Sequence, residues 1–252
     1  MTRRHLAFWL RIAFLLGAAG TLEVLCRAEA IPRLTMIPPA EMLAHLAEGL
    51  WAGRFTADIA FTFTNIAAAV AISIVFGAAL GLAIHALPRL RALLDPMLAS
   101  YYSVPTFVFY PLLIVLFGIT RWPLVAIGAM FGIVAMILNT INGLDRVPLV
   151  VVKAARTMRL SPAATVWRIK LPAAAPSLFT GVKLAVTYSV IGVIAGEFIL
   201  SVAGLGRRIK FAYDDLDNPA MYALLLFVLT ATVLVYFLVH GWERRVHARW
   251  RA

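Results

Sequence analysis

Residues 63–87 contain no Asp, Glu, Lys or Arg, and the same is true of residues 97–120, 122–144 and 219–242. About 20 apolar residues in a helix cross the roughly 30 Å of hydrocarbon in a bilayer. Each of these runs is long enough, and in lipid only a helix or a closed barrel satisfies its own backbone groups. Two further runs qualify with interruptions: residues 184–205 are broken only by Glu197, and residues 6–25 carry Arg11 and Glu23. The expectation is an all-α, polytopic membrane protein with six transmembrane helices. Composition agrees: 62% of the 252 residues are hydrophobic and 14% charged, against about 45–50% and about 25% in a soluble domain. That excludes a water-soluble globule, and it excludes a disordered chain, which needs low hydrophobicity.

The net charge of +11 would suggest nucleic acid in a soluble protein. Here it reads as basic loops that orient the helices. With the N-terminus inside, fourteen Lys and Arg fall on inner segments and seven on outer ones, so both termini are expected in the cytoplasm. Arg3, Arg4 and the small residues Ala18, Ala19 and Gly20 also fit a cleaved signal segment. With five spans following, an uncleaved first helix is the expectation. The single cysteine, Cys26, excludes a disulfide framework and a Cys-based zinc site.

Motifs for chemistry are missing. There is no G-x-x-x-x-G-K-[ST], no H-E-x-x-H and no G-x-S-x-G. The five histidines are scattered. Asp214, Asp215 and Asp217 stand beside Arg207, Arg208 and Lys210, a self-neutralising surface rather than a cation site. No catalytic residue and no metal site is expected.

Three G-x-x-x-G pairs lie within spans: Gly77 and Gly81, Gly128 and Gly132, Gly192 and Gly196. Glycines four apart share a helix face and let a second backbone approach; packing within one chain is the preferred reading over a dimer contact. Pro105 and Pro111 interrupt the third span among Tyr101, Tyr102, Ser103, Thr106 and Tyr110. A polar kinked helix suits a substrate pathway, and it equally suits a kinked packing helix. The candidate pathway residues are Tyr101, Tyr102, Ser103, Thr106, Asn139, Tyr188 and Glu197. Glu197 must face protein or water, because a carboxylate at the bilayer centre costs about 2.5–3.5 kcal/mol on insertion scales. Lys183 cannot reach it along the same helix, being about 21 Å away. A structural hydrogen bond to another helix and a transport role both remain open.

The inner loop, residues 145–177, carries most. Ser161-Pro162 reads as a helix start, with Ser as cap and Pro in the first turn. That helix is expected to lie flat at the inner surface and to stop at Leu171, before Pro172. A second short helix is expected over residues 147–158, with small residues at Ala154 and Ala155. On the outer side, the spacing of Met42, Leu43, Leu46 and Leu50 predicts a short helix over Pro39–Trp51.

The stretch Lys153-Ala154-Ala155-Arg156, Ser161, Leu171-Pro172-Ala173-Ala174-Ala175-Pro176, Gly181, Glu197 and Gly204-Leu205-Gly206 resembles the E-A-A loop region of ABC importer permeases. The likeness extends upstream through Ser103-Val104-Pro105 and Phe117-Gly118-Ile119 and covers about residues 60–245. It is greatest to the branch serving nitrate, sulfonate, taurine and thiamine-precursor uptake. Two positions depart from the pattern: Lys153 stands for the usual Glu and Arg159 for the usual Gly, so the bend is expected from Leu160-Ser161-Pro162 instead.

The resemblance implies a type I importer permease fold in a bacterial inner membrane, with no cofactor of its own. It also implies partners: a cytoplasmic ATPase dimer carrying ATP and Mg, a second permease subunit (a homodimer), an extracytoplasmic solute-binding protein and the lipid bilayer. The ATPase-coupling residues would be Lys153, Ala154, Ala155, Arg156, Ser161, Pro162, Trp167, Leu171 and Pro172. The cargo would be a small solute, an organic anion such as a sulfonate, nitrate or carboxylate, or a thiamine-type precursor. The expected organisation is a first helix and outer loop over residues 1–55, the permease domain over 56–245 and a basic tail over 246–252. The rival reading is a stand-alone secondary transporter or channel, which would need its own coupling acids inside spans; a membrane enzyme ranks third.

Overall fold

The structure is a computed structural model that describes residues 3–251, with the side chains of residues 3–8, Arg156, Leu200 and residues 245–251 outside the description. In chain order the helices are α1 (Arg3–Arg27), α2 (Pro39–Trp51), α3 (Thr56–Ala86), α4 (Pro88–Ser100), α5 (Tyr110–Phe117), α6 (Trp122–Asp145), α7 (Leu149–Thr157), α8 (Pro162–Thr165), α9 (Leu171–Leu200), α10 (Leu205–Asp214) and α11 (Asn218–Arg251). Short 3-10 turns, Tyr101–Ser103 and Thr106–Phe109, join α4 to α5, and a π turn, Val166–Lys170, joins α8 to α9. The described residues contain no strand.

Among the described residues, five helices are long and apolar enough to cross a membrane, and a sixth apolar stretch is a bent pair, Pro88–Ser103 and Thr106–Phe117, that meet at 93°. The kinked third span expected over residues 97–120 is therefore corrected to two helices that meet at a sharp bend. Pro105 is the cause. It has no N–H to donate and pushes the residue before it out of the helical region; Val104 is extended (φ −85°, ψ 126°). Pro111 does the opposite, because it falls in the first turn of α5, where its missing donor costs nothing.

The fifth span also differs. It does not begin at residue 184; α9 begins at Leu171, and the loop helix runs into it without a stop at Pro172. A proline inside a helix clashes with the carbonyl four residues earlier. Here the preceding turn widens, with the Leu171 N–H donating to the Val166 carbonyl five residues back. Such a π turn makes room for the ring and lets the helix continue.

The core is the trio α3, α6 and α9. Within its apolar window α6 is 67% buried, against 6% for α1 and 11% for α11. The expected glycine pairs make this core, all inside one chain. A Cβ on Gly77 or Gly81 would lie 2.6–2.7 Å from Met136 or Thr140 of α6. A Cβ on Gly192 would lie 2.9 Å from the Gly128 Cα, glycine against glycine. The α6–α9 seam continues through Gly143 beside Ala174 and Gly181 beside Asn139.

The loop between α6 and α9 marks one end of the bundle, called basal below. At the opposite, distal end lie α2 and α10. There Asn218 donates to the Arg33 and Leu34 carbonyls and the Tyr222 hydroxyl to that of Thr35. Phe55, Leu205, Ile209 and Leu224 close a small apolar core beneath α10. Helix α2 has the predicted bounds.

Candidate functional site

The broken helix brings aromatic candidates together. The bend places Tyr101 and Tyr102 edge to face, centroids 5.5 Å apart. Tyr102 lies 5.2 Å from the Tyr188 ring of α9. Nearby, Phe107 and Phe131 are in ring contact. The two hydroxyls at the bend are committed: Tyr101 donates to the Met130 carbonyl at 2.9 Å and Tyr102 to that of Phe131 at 3.4 Å. They offer ring faces and oxygen lone pairs, not free donors. Thr106 is buried, and Ser103 is exposed. Asn139 stands apart, donating to the Ala135 carbonyl of its own helix where α6 meets Gly181. Tyr101, Tyr102 and Tyr188 are thus one cluster, and Asn139 belongs to a helix seam.

Glu197 belongs to neither. It is nine residues beyond Tyr188, about 13 Å along α9 and half a turn round. Its carboxyl is 1% exposed and faces α3 and α10. One oxygen, Oε2, accepts from the Thr62 hydroxyl at 2.8 Å and from the Gly206 N–H at 3.1 Å. The Thr62 oxygen in turn accepts the Leu205 N–H at 2.9 Å. Asp58 accepts from the Gly204 N–H and from Arg208. The first amides of α10 are therefore capped from α3 and α9, because the residue before the helix, Gly204, has no side chain to cap with. A carboxylate at a helix N-terminus also meets the positive end of its dipole.

Glu23, the acid that interrupts the first span, does the same for α2. Its Oε2 accepts the Ala40 N–H at 2.9 Å, and the residue before α2 is Pro38, which cannot cap either. Sequence reasoning left a structural hydrogen bond from Glu197 to another helix open and missed the role of Glu23. The available signal was a helix start lacking Ser, Thr, Asp or Asn downstream of a lone acid in a span.

Gly204 and Gly206 are obligatory here. Gly204 has φ +105°, and a Cβ on it would lie 2.4 Å from the Glu197 carboxyl carbon. A Cβ on Gly206 would lie 2.4 Å from the Ile194 carbonyl oxygen. Of the three neighbouring acids, Asp214 pairs with Lys210 and Asp217 accepts the Ala220 N–H at the start of α11.

At the basal end, Ser161 caps α8 as expected, its Oγ accepting the Ala164 N–H at 3.2 Å. Pro162 takes the first helical position. The loop bend was expected over Leu160-Ser161-Pro162, but it is made at Arg159 itself, with φ 54°. The Leu160 N–H reaches the Ala155 carbonyl at 3.1 Å, closing the six-to-one turn that ends a helix on a left-handed residue. A non-glycine residue there costs about 1–2 kcal/mol.

The two alanines divide. Ala155 is 1% exposed and lies inside the loop, where α7 meets the π turn. Ala154 and Lys153 face outward. Leu149, Val150, Met158 and Trp167, all in the basal loop, are each more than 70% exposed. Leu171 and Pro172 are half-buried in the first turn of α9. The side chain of Arg156 lies outside the described residues.

Residues 73–252 match the family described as "binding-protein-dependent transport system inner membrane component". The chain is 27% identical over 241 residues to the taurine transport system permease TauC of Escherichia coli, covering 90% of this chain and 87% of that one. It is 27% identical over 169 residues to the formylaminopyrimidine transport permease ThiX of Halalkalibacterium halodurans, covering 67% and 68%. Among solved structures, an inward-facing form of the MetNI methionine ABC transporter shares the fold, with a TM-score of 0.66 at 18% identity over 81% of this chain and 97% of that one.

Proposed function

The chain belongs to the binding-protein-dependent transport system inner membrane component family, a multi-pass permease subunit of an ABC importer for small solutes, and we propose that its basal loop is the surface on which a cytoplasmic ATPase pair seats. The observation that carries this is a set of exposed apolar side chains on the loop, Leu149 and Val150 on α7, Met158 just past it and Trp167 in the π turn, with the exposed small Ala154 on α7. Apolar side chains held into water at the end of a membrane bundle are a docking surface, and a small residue lets a partner come close. ATP and Mg stay on the partner. Closure of the ATPase pair moves the loop, and the spans shift between two packed states. A second copy of the chain completes the membrane unit, and a solute-binding protein delivers cargo at the distal end. The stand-alone transporter reading leaned on Glu197 as its one coupling acid, and the Oε2 of Glu197 is engaged in capping α10.

For the solute we propose a small organic anion, such as a sulfonate, nitrate or carboxylate, or a thiamine-type precursor. The support is the relatives that carry taurine and formylaminopyrimidine. The tyrosine cluster adds a polar aromatic wall without a fixed charge, which suits passage more than capture. Selection then rests on the binding protein, and a ligand-stabilisation screen of that protein identifies the solute; stabilisation only by cations sinks the anion reading.

Orientation is proposed from the fourteen-to-seven basic bias: basal end, with both termini, in the cytoplasm. Single cysteines at Ala163 and Asp215, both exposed, in a Cys26→Ser background test it with an impermeant thiol reagent on intact cells. Labelling is expected at 215 and not at 163; the reverse inverts the topology.

Docking is tested at the two alanines. Ala154→Trp is expected to insert and fold normally, yet to lose ATPase co-purification or uptake in reconstituted vesicles. Ala155→Trp overpacks the loop at a cost of about 1–3 kcal/mol and is expected to lose coupling together with loop stability, read as faster proteolysis between α7 and α9. Normal uptake in Ala154→Trp removes the docking role.

A further inference from the structure

We infer that the ion pair Arg91–Asp145 is the strut by which movement of the basal loop reaches the broken helix carrying Tyr101 and Tyr102; this rests on the coupling role proposed above. Asp145 is the last residue of α6, directly before the loop. Arg91 is in the first turn of α4, 54 residues earlier. The guanidinium grips the carboxylate with both prongs, Nη1 to Oδ1 at 2.8 Å and Nη2 to Oδ2 at 2.7 Å. A two-pronged pair of this kind fixes direction as well as distance. His85, from the last turn of α3, places Nδ1 3.1 Å from Oδ1. Asp95, one turn along α4, holds the Arg91 Nε from the other side at 3.5 Å. Asp145 therefore ties the start of the loop to α4 through Arg91 and to α3 through His85.

The remaining attachment of α4 is aliphatic. Leu90, Leu94 and Leu98 lie against Ile84, Ile137 and Ile141, and no residue of α4 is fully buried. Such contacts are non-directional and permit sliding. The helix starts at Pro88, carries Pro96 within it and leads through Ser103 into the 93° bend, so it is a lever of about 20 Å with a joint at each end. Pulling its first turn through Arg91 displaces its last, where Tyr101 holds α6 and Tyr102 meets Tyr188. Arg91 and Asp145 are positioning residues in this scheme, and neither needs to touch the solute.

The test uses the permease assembled with its ATPase and binding protein in vesicles. Arg91→Gln and Asp145→Asn are expected to keep ATPase co-purification and basal hydrolysis while uptake per ATP falls about tenfold, the size of a typical coupling between paired charges. The exchange Arg91→Asp with Asp145→Arg, which preserves the combined length, is expected to restore most of the uptake. Arg89→Gln, exposed on the same turn, is the control. If the wild-type complex shows no ATP-driven uptake, the transport reading fails and the strut with it. If the wild type pumps and the single variants pump equally well, or a folded exchange variant recovers nothing, the strut alone is overturned.

Discussion

Gly132→Leu should be the most damaging single change in the membrane core. A Cβ at 132 would lie 2.6 Å from both the Ser73 and Ser189 hydroxyl oxygens and 2.9 Å from the Ala185 carbonyl oxygen. Those hydroxyls lie 3.3 Å apart, and Ser73 donates to the Ala129 carbonyl, so α3, α6 and α9 meet at this point with no slack. A serine can turn its χ1, but the carbonyl belongs to a helix and can move only if α9 moves. Overpacking typically costs about 1–3 kcal/mol, and a backbone obstacle puts this site at the upper end, about 3 kcal/mol. Gly17 of α1 is the matched control, since nothing lies within 4 Å of its Cβ position. Thermal unfolding of the purified protein in detergent should show a large drop in midpoint for Gly132→Leu and almost none for Gly17→Leu. Equal midpoints would mean that the three helices are not in close contact at Gly132.

Glu197 should separate by shape and charge. Because Oε2 alone accepts both the Thr62 hydroxyl and the Gly206 N–H, the amide oxygen of a glutamine can accept the same pair. Glu197→Gln is expected to retain most of the stability and uptake. Glu197→Leu leaves both donors buried without an acceptor, at about 1–3 kcal/mol each, and frees the start of α10 from the spans. Its expected signature is a lowered unfolding midpoint together with early proteolysis at the distal end, within residues 201–217. If Gln and Leu are equally harmful, the negative charge itself is in use and the capping role is insufficient. If Leu is harmless, the cap carries no stability.

The readable features were those written within a helix or a turn. Hydrophobic runs marked the spans, glycine spacing marked the faces that pack, and Ser161-Pro162 marked a capped helix start. Pro105 was visible as an interruption, but whether it kinks or breaks a span depends on what the two halves pack against. Here Leu90, Leu94 and Leu98 lie against Ile84 of α3 and Ile137 and Ile141 of α6, while Phe107, Leu113 and Ile114 lie against Leu124 and Ile127, and the bend becomes 93°. Pro172 was read as a stop because the wide turn that absorbs it has no composition signal. Arg159 was passed over because a left-handed arginine is uncommon, yet the closing bond to Ala155 holds it there.

The sequence by itself determined the solvent, the apolar stretches from which the spans are built, the absence of a P-loop and the helical faces that must lie close, because hydrophobicity and periodicity act over one or two turns. Only the tertiary structure decided that Ala155 points in and Ala154 out, since neighbours on a helix differ by about 100° and either can face the core. It alone joined Arg91 to Asp145 and Thr62 to Glu197, 54 and 135 residues apart. The partner of a charge in a membrane protein is set by how whole helices dock, and that docking is a property of packed surfaces rather than of any local stretch of chain.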